Sequence, residues 1–335
     1  MLLVGFRGLT LQEAEATRRQ VSNGSLGGVL LFSVDQITGG PRNVESPEQV
    51  RAPVEGLRSA APPETPLLVA IDQEGGRVAR LGPALGFPAT RSTADLGRGD
   101  PEATRAAAGA MAATLAAAGI NLNLAPVVDL ATNPDNPIIA GVERSFSADP
   151  DVVIAHATAF IEAHHDVAGV ACAVKHFPGQ GSASADTHLG VADVSDAWSE
   201  TELRPFAELI EGGLPDAVLT AHIFNARLDA ERPATLSAPT ITGILRDRLG
   251  YEGPVISDDL QMGAIRDAYG HDEAVALAIE AGVDILLIAN QLVYEPEIVE
   301  RTIDLVERLV RDGRISEARI DASYARILRL KGATP

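Results

Sequence analysis

Hydrophobic and polar positions alternate along this chain in blocks. Short apolar, β-branched runs recur from one end to the other: LLVGF (2–6), GGVLLF (27–32), PLLVAID (66–72), INLNLAPVV (120–128), VACAVKHF (170–177), AVLTAHI (217–223), PVISDD (254–259) and DILLIAN (284–290). Such runs, bounded by polar turns, predict buried strands, and the longer stretches of helical spacing between them predict covering helices. There are eight runs. Eight βα units fit a (β/α)8 barrel better than an open doubly wound sheet, and the early βα turns lack the G-x-G-x-x-G phosphate loop of dinucleotide folds. The prediction is an α/β protein with one TIM-type barrel over 1–335. EIVERTIDLVERLVRDGRI (297–315) closes the barrel and SEARIDASYARILRLKG (316–332) adds a C-terminal helix.

Local signals place the helix starts at Thr10, at Ser46 before Pro47, at Asp100 before Pro101, at Asp149 before Pro150, and at Ser199. A side-chain oxygen followed by proline suits an N-cap and a first helical residue. Four long Gly/Pro-rich segments, 39–49, 74–93, 130–149 and 178–196, follow strand ends. In a barrel they share the face that carries the active site.

Composition narrows the picture further. With 46% hydrophobic and 22% charged residues the chain can bury a large core, which excludes disorder. A net charge of -19, from 27 basic against 46 acidic residues, repels polyanions and argues against nucleic acid as a partner. No apolar run approaches the roughly 18 residues of a membrane span. Met1 leads straight into LLVGF with no charged leader, which favours a soluble, cytoplasmic protein over the alternative of an exported form whose leader is removed, and because a barrel of this size can stand alone a monomer is expected. The single cysteine, Cys172, sits in an apolar run and reads as a small core residue.

Candidate chemistry gathers at the strand ends: Asp72, Asp129, Lys175 with His176, His222, Asp258 with Asp259, and Asn290. One explanation is a structural layer of ion pairs capping the barrel; the other is a binding site, because an unpaired buried charge costs several kcal/mol, about 3–5 when a partner is removed. The segment KHFPGQGSASADTHLG (175–190) adds Asp186 two residues before His188 on a loop. An acid and an imidazole so placed suit proton transfer, and a solvated loop histidine is the bland alternative.

Three stretches, IDQEGGRVARL (71–81), KHFPGQGSASADTHLG and VISDDLQMGAI (255–265), joined by ERSFSADP (143–150), closely resemble the motifs of glycoside hydrolase family 3. The order and spacing match over nearly the whole chain. Within the family they are similar to the NagZ-like β-N-acetylglucosaminidase branch that trims peptidoglycan fragments. The resemblance implies a retaining exo-β-N-acetylglucosaminidase that needs no metal and no organic cofactor, acting on a small carbohydrate or muropeptide. It implies Asp258 as nucleophile, His188 held by Asp186 as acid/base, and Asp72, Arg80, Arg144, Lys175 and His176 as ligands of the non-reducing sugar. A helix N-cap for LQMGAI suits Asp259 better than Asp258. For Arg144 the competing expectation is an ion pair with Glu143 or Asp149.

Two positions depart from the motif. Gln180 stands where KHFPGHG has a second histidine, and Thr187 replaces the commoner serine between acid and imidazole. Glutamine cannot titrate but can still form hydrogen bonds, so the loop's conformation or the substrate range is what the change touches. Rival readings are a metal-dependent hydrolase using His176 and His222, a non-catalytic sugar-binding barrel, and enzymes of the same family that act on β-glucosides or pass the sugar to phosphate.

Overall fold

Each of the eight apolar runs becomes a barrel strand in the computed structural model, which describes residues 1–167, 169–187 and 189–333. They are β1 (Leu2–Gly5), β2 (Gly28–Leu31), β3 (Leu68–Ile71), β4 (Leu122–Asn123), β5 (Ala171–Phe177), β6 (Ala217–Thr220), β7 (Val255–Ile256) and β8 (Leu286–Ile288). Every neighbouring pair is parallel in the order β7-β6-β5-β4-β3-β2-β1-β8, and a parallel bridge from Ile256 to Ile285 joins the two ends. Strand order that follows chain order around a closed ring is the (β/α)8 barrel.

The pleat sorts the side chains. Leu3, Leu30, Leu68, Ala70, Leu122, Ala171, Ala173, Leu219, Ile256 and Leu287 fill the barrel's interior. Their neighbours on the same strands, among them Val4, Val29, Leu31, Val69, Ile71, Cys172, Val174 and Val218, pack outward against the helices. This follows from period-two alternation in strands covered on both sides. Cys172 is fully buried, as its place in β5 predicts, and burial pushes its thiol pKa well up.

Most helix starts follow the capping signals. Ser46 Oγ accepts from Gln49 N–H at 3.1 Å, Asp100 from Glu102 N–H at 2.9 Å, and Asp149 from Asp151 N–H at 2.9 Å, each ahead of a proline-led helix: Pro47–Ala60, Pro101–Ala117 and Pro150–Asp166. Two starts differ. Thr10 pairs reciprocally with Glu13 but closes only a turn, and the helix begins at Glu15. Ser199 opens a 3₁₀ turn, Glu200–Leu203, without a side-chain cap, and Arg204–Glu211 continues from it.

After β6 the covering segment Pro239–Arg248 is wound as a π-helix, and the helix after β7, Gly263–Ala281, bends at Gly270, whose φ is 69°. Beyond β8 come Ile298–Arg311 and the additional helix Glu317–Ala333. Asp284 at the foot of β8 anchors that last helix through Ser323 Oγ at 2.6 Å, with Arg319 and Arg326 both at 3.3 Å. Among the described residues no helix is long and apolar enough to cross a membrane.

Candidate active site

At the C-terminal ends of the strands lies a cavity of about 430 Å³. Loops after β3, β4 and β5 line it through Glu74, Arg80, Arg144, Gln180, Asp186 and Thr187, while Gln36 and Gln291 approach from the loops after β2 and β8. The segment 39–49, expected on this face, contributes no lining residue. Instead Arg42 in it is fully buried and pairs with Asp35 at 2.7 Å, which braces the β2 loop.

The floor is a buried ionic cluster centred on Lys175. Its Nζ lies 2.6 Å from Asp72 Oδ1 and 2.7 Å from Glu74 Oε1. Arg144 reaches the same Glu74 with two parallel bonds of 2.7 and 2.8 Å, and Arg80 stands 3.6 Å from Asp72. Glu74 was not among the residues singled out from sequence. Its signal was there, since Asp72 and Glu74 are two apart and strand geometry turns such residues to one face.

Arg144 does not pair with Glu143 or Asp149. Glu143 has φ 61°, a reversal that turns the chain inward at Arg144, and Asp149 is occupied as a helix cap. Arg144 also donates to His176 Nε2 at 3.1 Å, while His176 Nδ1 is 2.7 Å from Asp129 Oδ2. A guanidinium can only donate, so Nε2 is the acceptor and the ring proton sits on Nδ1, toward Asp129. The Lys175–His176 and Phe177–Pro178 peptides are cis, and the β5–β6 register shifts between Val174 and Phe177, where this pair leaves the ladder.

Electrostatics follow from this packing. Burial by itself would raise the pKa of Asp72 and Glu74, but Lys175 and Arg80 beside the first, and Arg144 and Lys175 beside the second, override it and hold both carboxyls below their ordinary range. The same attraction outweighs burial for Lys175 and Arg144, whose pKa values rise. The floor therefore presents fixed charges of both signs at neutral pH, which suits a ligand whose hydroxyls both donate and accept.

Asp258 follows β7 and lines the cavity; its backbone N–H donates to Thr220 Oγ1 at 3.2 Å, and its Oδ1 accepts from Asp259 N–H at 2.8 Å. Asp259 takes the structural part. Its Oδ1 accepts from Gln261 N–H at 3.1 Å and Ala289 N–H at 2.9 Å, capping a turn that precedes the helix and tying β7 to β8. His222 donates through Nε2 to the Asp259 carbonyl at 2.9 Å, and its Nδ1 meets Thr235. Asn290 closes its own loop by bonding both backbone groups of Glu295. His222 and Asn290 are thus scaffold at these strand ends; His176 lines the cavity and His222 does not, and each ring is engaged by its own protein groups.

Asp186 lines the same cavity as Asp258. His188 lies outside the described residues. The structure thus brings Asp72, Arg80, Arg144, Lys175, His176, Asp186 and Asp258 to one hollow.

Glu202 was also missed from sequence. It is buried behind the β5 loop, where its Oε2 accepts from Gly181 N–H at 2.9 Å. The tight approach is possible because a Cβ on Gly181 would lie 1.6 Å from the Leu130 carbonyl oxygen and one on Gly179, at φ 109°, would meet Glu202 itself. Burial, reinforced by Asp129, pushes the Glu202 carboxyl up to about 7 against the pull of its hydrogen bonds. A group that holds its proton more tightly when folded stabilises fully below its unfolded pKa, and that stability is lost as pH rises through 7. Glu202→Gln is therefore expected to gain stability relative to the parent by roughly 1–3 kcal/mol between pH 5 and pH 8. Thermal melts across that range check it, and an unchanged gap would refute it.

A (β/α)8 barrel with a charge-lined hollow at its strand ends defines the class of protein: a barrel whose site opens at the C-terminal face. The chain belongs to glycosyl hydrolase family 3: the profile of the Glycosyl hydrolase family 3 N terminal domain matches residues 1–330. It is similar to the beta-hexosaminidase A of Pseudoalteromonas piscicida, 35% identical over 341 residues, covering 94% of this chain and 54% of that protein. It is also similar to the beta-hexosaminidase of Tolumonas auensis, 39% identical, covering 83% of this chain and 80% of that one. Among solved structures it resembles a family 3 beta-N-acetylglucosaminidase from Paenibacillus sp. FPU-7, with a TM-score of 0.89, 37% identity, and coverage of 99% of this chain and 61% of that one. The beta-N-acetylhexosaminidase from Beutenbergia cavernae gives a TM-score of 0.85 at 32% identity, covering 99% and 96%. The chain thus spans about half of the Pseudoalteromonas protein and nearly all of the Beutenbergia one.

Proposed function

We propose that this protein is a retaining exo-β-N-acetylglucosaminidase that removes non-reducing terminal GlcNAc from peptidoglycan-derived fragments. The observation that carries the reading is that Asp186 and Asp258 line one cavity whose floor is the Asp72–Glu74–Lys175–Arg144–His176 cluster. The names of the similar proteins support the sugar. In the first displacement Asp258 attacks the anomeric carbon while His188, oriented by Asp186, protonates the departing oxygen. In the second, neutral His188 takes a proton from water as it attacks, and the glycosyl ester to Asp258 breaks. Asp72, Arg80, Arg144, Lys175 and His176 hold the sugar, and Glu74 holds Lys175 and Arg144 for that task.

An imidazole, which ordinarily titrates near pH ~6.5, can serve both steps at neutral pH. His188→Ala is expected to slow hydrolysis of alkyl β-GlcNAc glycosides by roughly 10²- to 10⁴-fold, the usual range of general acid catalysis, and to spare glycosides with activated aryl leaving groups in the glycosylation step. Equal losses in kcat/KM on both would remove His188 as the proton donor. Hydrolysis of aryl β-GlcNAc compared with aryl β-glucoside by the purified protein tests the sugar itself, and comparable turnover of the two would replace the proposal with a dual specificity.

A further inference from the structure

We infer that Gln180 and Thr187 form a latch that positions the β5 loop over the cavity, making both of them positioning residues for proton transfer. The inference rests on the proposed acid/base role of that loop. Gln180 begins at a rigid point: its backbone N–H donates to Asp129 Oδ1 at 2.8 Å, the carboxylate that also holds the His176 ring, and its carbonyl accepts from Asn136 Nδ2 at 2.8 Å. From there its side chain crosses to the far limb of the loop, where Nε2 donates to Thr187 Oγ1 at 3.2 Å. The Thr187 carbonyl accepts from Ala264 N–H at 3.3 Å, just past the turn that follows Asp258 and Asp259.

Burial shows how local the fastening is. Gln180 and Thr187 are each 1% exposed, whereas Ser184 and Ala185 are exposed and Leu189 is 84% exposed. Thr187 is a buried point in an exposed stretch, and it is the residue between Asp186 and His188. Fixing it relative to the His176 side and to the Asp258 side constrains both of its chain neighbours, the cavity-lining Asp186 and the proposed acid at position 188. Proton donors need hydrogen-bond reach to the departing oxygen, and a displacement of about 1 Å can cost on the order of 100-fold in rate. A glutamine amide does not titrate, so this latch holds across the working pH, where an imidazole in its place would change its hydrogen bonding on protonation.

A double-mutant cycle tests the latch, using Thr187→Val, Gln180→Leu and the pair together, with an alkyl β-GlcNAc and 2,4-dinitrophenyl β-GlcNAc as substrates. Each single change is expected to lower kcat/KM on the alkyl glycoside roughly 10- to 100-fold, to leave kcat/KM on the activated aryl glycoside nearly unchanged while lowering its kcat, because the second displacement still needs the base, and to add little in the double variant. Thr187→Ser, which keeps the hydroxyl, retains activity, and Gln180→His introduces a new ionisation into the pH profile of kcat for the alkyl glycoside. Thermal melts identify a variant that loses activity by unfolding, and the Thr187→Ser against Thr187→Val comparison then decides. Equal losses in kcat/KM on both substrates, additive losses in the double variant, or an unaltered profile in Gln180→His would overturn the latch. A parent enzyme that hydrolyses neither glycoside would instead sink the underlying assignment.

Discussion

Asp258→Asn is expected to abolish glycoside hydrolysis, lowering kcat on activated aryl β-GlcNAc by roughly 10³-fold or more, because a carboxamide cannot form the glycosyl ester through which a retaining enzyme passes. Binding is expected to survive. The amide oxygen can still accept the Asp259 N–H that now reaches Asp258 Oδ1, and the ionic cluster after β3, β4 and β5 that is proposed to hold the sugar is untouched. Calorimetry with GlcNAc should therefore give an affinity within a few-fold of the parent's, alongside the collapse in turnover. A stricter version uses Asp258→Ala with azide. An external anion entering from the vacated nucleophile's side yields the α-glycosyl azide in a single inverting step, so the configuration of the product reports which face the carboxylate occupied. Retention of more than a tenth of the parent rate by Asp258→Asn, or a β-azide from the alanine variant, would transfer the role to another group.

The second large effect is expected at Lys175, and it is on stability as much as on binding. Lys175→Met leaves Asp72 and Glu74 facing one another in a buried site without the ammonium that lies 2.6 and 2.7 Å from them. Stripping one partner from a buried ion pair typically costs about 3–5 kcal/mol, far more than loss of a surface pair. Arg144 still neutralises Glu74, and Arg80 still stands near Asp72, so the lower part of that range applies.

The pH dependence of the loss separates uncompensated charge from simple mispacking. In the parent, Asp72 and Glu74 have depressed pKa values, so their contribution is present above the unfolded carboxylate pKa and is lost as pH falls through the folded one. Removing Lys175 lets those pKa values rise, so protonation relieves the repulsion at mildly acid pH. The gap in Tm between parent and Lys175→Met should therefore be wide at pH 7 and narrow toward pH 4.5. A gap that stays constant with pH would point to lost packing of the lysine stem.

The repeating strand and helix pattern made the barrel legible because each of the eight apolar runs carries its own signal. Buried parallel strands read as near-continuous apolar stretches, and proline behind Ser46, Asp100 or Asp149 marks a helix start by local geometry alone. The same local logic failed at Thr10, where the capping pair with Glu13 formed but the helix waited until Glu15. It also fell short at Asp259, whose carboxylate caps a turn and simultaneously binds β8. A cap is a contact between near neighbours, whereas the conformation of the next residues depends on how the segment packs.

The site divides along the same line. Which residue types stand at the strand ends, and that Asp186 and Asp258 belong to segments opening on one face, were fixed by order along the chain, since the barrel rule sends every strand's C-terminal end to the same side. The partners of those residues were decided only in three dimensions. Arg144 could have paired with Glu143 or Asp149 next to it in sequence, yet it chose Glu74, seventy positions away, because the left-handed turn at Glu143 aims it inward and a buried carboxylate without a partner is too costly to leave. Glu202 and the Gln180–Thr187 contact likewise became visible only once burial was known, and Glu74, two residues from Asp72, showed its partners only then. Charge identity is written in the chain, but whether a charge is solvated, paired or held against a ligand depends on distances and dielectric that folding alone creates.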